Sequence, residues 1–214
     1  MKISYGITVH NEHKELEKLL GILLISIDEE DEVIICVDGN DEDVKNVIEL
    51  YSIDSRVKHY DRKLEKDFAA HKNSVIEKSS GDYIFHIDAD EYPNRVLLQQ
   101  LKQILEMNDV DLIWIPRVNT IEGMTEQDVQ RWGCRVTEKG WVNYPDYQAR
   151  VFRKDDNIRW TRPLHAHIVG CKTYSHLPPH EELSLYHPKT IEKQTQQNMF
   201  YNQNFSREMN VRKI

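Results

Sequence analysis

The chain has 214 residues, 39% of them hydrophobic and 30% charged, with a formal charge of -8. That length is enough for one α/β domain with a full core, and the balance excludes a disordered chain, while the acidity argues against a general nucleic-acid binder, which needs clustered Lys and Arg. The longest strongly apolar run, Leu19 to Ile27, is about half of what a bilayer requires, and the N-terminus lacks the pattern of an export signal, so residence in the cytoplasm is expected.

Lys2 to Val9 reads as a first strand, and after Asn11 the residues Leu16, Leu19, Leu20, Leu23, Leu24 and Ile27 recur at helical spacing. Glu32 to Val37 is a β-branched run that ends in the turn Asp38-Gly39-Asn40-Asp41, before a helix carrying Val44, Val47, Ile48 and Tyr51. Val57 to Tyr60 is a short third strand, and a helix from about Ala69 to Lys78 stops at Ser79-Ser80-Gly81. Asp82 to Ile87 is an apolar strand leading into Asp88-Ala89-Asp90-Glu91, Pro93 is expected to start the next helix, and Leu112 to Ile115 is a fifth strand. From Asn119 onward the Trp, Tyr, Arg, His and Pro residues show no helical period, which predicts strands and loops laid over one edge, until a polar helix at Thr190 to Phe205. Cys36, Cys134 and Cys171 are odd in number and far apart, which fits reduced packing residues rather than a disulfide framework or a zinc site.

Alternating strands and helices predict an α/β fold with a mainly parallel sheet flanked by helices, in which ligands bind beyond the carboxyl ends of the strands. Three such ends carry polar clusters: His10-Asn11-Glu12, Asp38-Gly39-Asn40 and Asp88-Ala89-Asp90. In an extended segment Asp88 and Asp90 share a face, so both carboxylates can point at one hard divalent cation, Mn²⁺ or Mg²⁺, with a substrate diphosphate completing its shell. The plain alternative is that Asp90 and Glu91 only cap the helix that follows.

The segment from Asp67-Phe68-Ala69-Ala70-His71-Lys72-Asn73-Ser74 through Gly81-Asp82-Tyr83-Ile84-Phe85-His86-Ile87-Asp88-Ala89-Asp90-Glu91 resembles the helix, strand and DxD signature of family 2 glycosyltransferases with the GT-A fold. Ile7-Thr8-Val9-His10-Asn11-Glu12 and Val37-Asp38-Gly39-Asn40 resemble that family's first two strand ends. The resemblance covers roughly the first half of the chain. It implies a nucleotide-binding half over 1–116, an acceptor and metal half over 117–190 and a C-terminal helix in 191–214, all in one domain. It also implies that Thr8, Asn11 and Glu12 line the nucleoside site, that Asp38 accepts a hydrogen bond from the base, and that Lys72 and Asn73 face the ribose or diphosphate. Asp88-Ala89-Asp90 would grip the donor, with the cation on Asp90 supported by Asp88.

Further along, Tyr147 to Arg153 followed by Leu164-His165-Ala166-His167 resembles a region of lipopolysaccharide-core relatives, in which a Glu usually stands where this chain has Ala166. In many GT-A enzymes a late His completes the metal shell, and Tyr186-His187-Pro188-Lys189 makes His187 the first candidate, with His165 second. The implied reaction is sugar transfer from a nucleotide-diphosphate donor to a hydroxyl with inversion, which requires a base. Asp146 is the candidate base, ahead of His165 and Asp128. The acceptor stays open between a glycan, a protein side chain and a hydroxylated base in modified nucleic acid. The competing readings are a sugar-phosphate nucleotidyltransferase, disfavoured by the lack of a Gly-rich N-terminal phosphate loop, and a nucleotide-sugar-binding module without turnover.

Overall fold

In the computed structural model, which describes residues 1–210, the predicted units form in the expected order. The elements are β1 (Ile3–Val9), α1 (His13–Leu24), β2 (Glu32–Val37), α2 (Glu42–Tyr51), β3 (Val57–Asp61), α3 (Phe68–Lys78), β4 (Tyr83–Asp88) and a two-residue β5 (Tyr92–Pro93). They continue as α4 (Arg95–Asn108), β6 (Leu112–Ile115), β7 (Arg117–Glu122), α5 (Glu126–Trp132), β8 (Gln148–Arg153), β9 (Arg159–Thr161), β10 (His167–Val169) and β11 (Tyr174–His176). A 3-10 turn at Glu181–Leu183, β12 (Leu185–Thr190) and α6 (Ile191–Asn204) follow. The last four residues of the expected C-terminal segment, 211–214, lie outside the described residues.

The main sheet runs β11-β6-β8-β4-β1-β2-β3. Strands β4, β1, β2 and β3 are mutually parallel, and β8 enters antiparallel between β4 and β6, so the sheet is mixed. A three-stranded sheet, β5-β12-β7, stands beside it. Alternate residues of β1, β2 and β4 (Ile3, Tyr5, Ile7; Val33, Ile35; Tyr83, Phe85) join Leu16, Leu19, Leu20 and Leu23 of α1 and Leu97 and Leu101 of α4 in one core. The opposite face of the sheet packs on α3 and β9 through Ile84, Phe152, Ala69, Ile76 and Trp160. Strands covered on both faces lose polar alternation, which is why β2 reads as an unbroken apolar run.

Helix α3 lies close to β1. A Cβ built on Gly6 would stand 2.4 Å from Val75 Cγ1, so only glycine admits that approach. Two predicted details differ. Pro93 does not open the helix but pairs with Leu185, and Asn94 is the cap, accepting from Val96 N–H at 2.9 Å. The helix α5 was not foreseen because it buries no residue and so leaves no apolar period. Asp128 sits in the capping box of that helix, bonded to the Thr125 hydroxyl at 2.6 Å and to its N–H at 2.9 Å.

Candidate active site

The parallel registers Thr8↔Asp88 and Val9↔Val37 bring the carboxyl ends of β4, β1 and β2 side by side. Thr8, Asp38 and Asp88 therefore line one rim. Asp38 Oδ1 accepts from Leu64 N–H at 3.0 Å, and His10 Nδ1 lies 3.4 Å from Oδ2. Glu12 folds back on its own turn, accepting from the N–H groups of His10 at 2.9 Å and Asn11 at 3.1 Å, while Asn11 is exposed.

After Asp88 the chain does not stay extended. Glu91 N–H donates to Asp88 C=O at 2.8 Å and closes a tight turn through Ala89 and Asp90. The two acidic side chains consequently take different partners, which corrects the expectation that they share one face. Asp88 Oδ2 meets Arg150 at 2.6 Å, and Oδ1 meets Lys72 at 3.0 Å and the Thr8 hydroxyl at 3.3 Å. Burial pushes the Asp88 carboxyl up, but the Arg150 and Lys72 charges outweigh it and hold the group well below the usual range. Asp90 Oδ2 instead faces His187 Nε2 at 3.3 Å and Lys189 Nζ at 3.5 Å. Burial opposes ionisation there as well, and His187 and Lys189 again keep the carboxylate charged.

The small sheet delivers the facing wall. Asn119 and His187 are register partners on β7 and β12, so Arg117, Asn119, His187 and Lys189 all present one face. Asn119 Oδ1 lies 2.7 Å from His187 Nδ1, and its Nδ2 donates to Asp146 Oδ2 at 3.0 Å. Asn119 Nδ2 donates to a carboxylate, so its Oδ1 must accept and His187 Nδ1 carries a proton; Nε2 faces Asp90 Oδ2, to which it donates unless a cation takes the place of that proton. An imidazole lone pair beside a carboxylate fits a divalent cation. Asp146 also receives Arg117 at 2.5 Å and Gln148 at 2.9 Å.

Sequence reasoning missed the buried ion network beneath this wall. Glu91 does not cap a helix: it is 1% exposed and bridges Arg117 at 2.7 Å and Arg150 at 2.6 Å. A charged residue ending an apolar strand was visible, but its partners lie 26 and 59 positions away. Asn73 is also placed otherwise than expected. Its amide donates to Trp160 C=O and accepts from Trp160 N–H, both at 2.9 Å, tying α3 to β9 rather than facing a ligand. His165 lies 3.2 Å from Asn210 Oδ1 and packs against Tyr201. Among the described residues, three ligand atoms come within 4.8 Å of one another only at His13, Asp41 and Asp43, where Asp41 caps α2.

Residues 4–178 match the family model described as glycosyl transferase family 2. The chain belongs to that family. The SPbeta prophage-derived glycosyltransferase SunS of Bacillus subtilis (strain 168) is 26% identical over 175 residues, covering 80% of this chain and 39% of SunS. An uncharacterized glycosyltransferase of Rickettsia bellii is 34% identical over 109 residues, half of this chain and 16% of that protein. The chain thus spans well under half the length of these relatives. Residues 1–349 of S. aureus TarS share the fold, with a TM-score of 0.63 at 16% identity over 97% of this chain and 68% of theirs. The TarS complex with UDP-GlcNAc gives a TM-score of 0.64 at 17% identity, over 88% of this chain and 59% of the other. No helix among the described residues is long and apolar enough to cross a membrane.

Proposed function

We propose that this member of family 2 transfers a sugar from a nucleotide-diphosphate donor to an acceptor hydroxyl, with inversion and with a Mn²⁺ or Mg²⁺ ion at Asp90 and His187. The observation that carries the reading is the pairing of Asp90 Oδ2 with His187 Nε2 at the carboxyl end of β4, the imidazole being aimed by Asn119. The ion supplies charge neutralisation for a departing nucleoside diphosphate. Thr8, Asn11, Glu12 and Asp38 are proposed to border the nucleoside, whereas Ala89 is buried in the core, which leaves its backbone as the part proposed to meet the donor. Lys72 and Arg150 fix Asp88 in place, and Asp88 is proposed to contact the donor rather than to share the ion with Asp90.

Asp146 is the proposed base. Arg117, Asn119 and Gln148 hold its carboxylate against the wall that carries His187, within the half assigned to the acceptor. His165, drawn toward Asn210, is the weaker candidate. A glycan, a protein side chain and a modified nucleic-acid base are the acceptors proposed, and cytoplasmic action remains part of the proposal.

The test is release of sugar from a panel of UDP-, GDP-, CMP- and dTDP-sugars, with and without Mn²⁺. The expected result is metal-dependent turnover of one donor class, lowered by about a hundredfold or more in Asp90→Asn. Turnover indifferent to chelators and to that substitution overturns the metal reading. Incorporation of label from a nucleoside triphosphate into a sugar phosphate would replace it with nucleotidyl transfer.

A further inference from the structure

Lys189 lies two residues beyond His187 on the same face of β12. Its side chain is 8% exposed, its ammonium stands 3.5 Å from Asp90 Oδ2, and it donates at 2.9 Å to Gln197 Oε1 of α6. Gln197 in turn donates at 3.1 Å to the Tyr201 hydroxyl. Asp90 Oδ2 is the oxygen that also faces His187 Nε2, so ammonium and cation address the same atom.

We propose that Lys189 is a built-in counter-ion of Asp90, which a divalent cation displaces from Oδ2, and that the displaced ammonium then serves the diphosphate, so that cation and diphosphate bind cooperatively. The proposal rests on the reading of Asp90 and His187 as cation ligands. Its argument is one of charge. Asp88 and Glu91 are already matched by Lys72, Arg150 and Arg117, which leaves Asp90 as the carboxylate facing the incoming ion. With Lys189 in place, a second and divalent positive charge meets repulsion across a few ångströms, between side chains that are only 8% and 23% exposed. A diphosphate reverses that sign by bringing negative charge that both cations share. The flexible four-carbon stem of lysine allows the shift, and neutral Gln197 holds the ammonium without adding charge.

The test titrates the full chain with Mn²⁺ alone, following the free-ion paramagnetic resonance signal, and then repeats the titration with inorganic diphosphate. Lys189→Met is expected to bind Mn²⁺ alone about tenfold more tightly than the parent, and diphosphate in the presence of Mn²⁺ about tenfold more weakly. Lys189→Arg, which keeps the charge, is expected to retain the weak binding of Mn²⁺ alone. Lys189→Gln repeats the measurement should Lys189→Met fail to fold. Unchanged or weaker Mn²⁺ binding in the neutral variants overturns the proposal. Asp90→Asn separates the two layers. If it abolishes Mn²⁺ binding while Lys189→Met leaves the affinity unchanged, the ligand reading stands and the counter-ion fails; if Mn²⁺ still binds to Asp90→Asn, both fail.

Discussion

Arg150 joins Asp88 to Glu91 through one guanidinium group while only 4% exposed. Removing it leaves two buried carboxylates without their main partner, so Arg150→Met is expected to cost about 3–5 kcal/mol in urea unfolding, far more than an exposed ion pair. His86, the strand residue two positions before Asp88, is fully buried; its Nε2 lies 3.4 Å from Asp88 Oδ1, and its Nδ1 has no hydrogen-bond partner among the described residues. Burial, and then the charge of Lys72, push its imidazole down from 6.5 to about 4. The unfolded chain takes up that proton first, so this contribution to stability is complete above pH 6.5 and is lost as the pH falls toward 4. Buried His71, also lowered by desolvation, adds in the same direction. The slope of unfolding free energy against pH across that window should be shallower in His86→Leu, and an identical slope in the variant would refute the assignment. At this scale the sequence displayed which residues were chemical but not whom they meet. Asp90, His187 and Asp146 stood out by type and position, whereas the roles of Glu91 and Arg150 depend on contacts across the fold.

Strand β1 and helix α3 meet where Gly6 has no side chain. Gly6→Ala forces its new methyl against Val75, and a thermal melt should show a loss of about 1–3 kcal/mol, part of it recovered when Val75→Ala is added. If the double variant is no better than the single, the cause is not this contact. The doubly covered strands were legible because burial on both faces gives uninterrupted apolar runs, and α1 because its buried leucines keep helical spacing. Helix α5 and the two-residue β5 were not, since one buries nothing and the other is defined only by its pairing with β12. Pro93 misled because proline suits the first turn of a helix, yet here it precedes the cap by one residue.

Across the molecule, the proposed ligands come from two sheets, the turn after β4 and the β7–β12 pair. Mn²⁺ with a nucleoside diphosphate should therefore brace both against unfolding and raise the melting temperature, the stabilisation reaching about 2.7 kcal/mol at a hundredfold excess over Kd. Asp90→Asn should lose the metal-dependent part of that rise, as differential scanning fluorimetry would read. The parallel β4-β1-β2 rim could be anticipated from alternating strands and helices. The antiparallel insertion of β8, and with it the delivery of Arg150 beneath Asp88, could not, because nothing local to residues 148–153 specifies which gap in the sheet they enter.

The Asn73 clasp on Trp160 has a consequence for solubility. A side-chain amide that gives one hydrogen bond to a residue's carbonyl and takes one from its N–H imitates a rung of a neighbouring strand. The β9–β10 hairpin thus has its outer border closed by a helix at that residue, and no foreign backbone can dock there to continue the ladder.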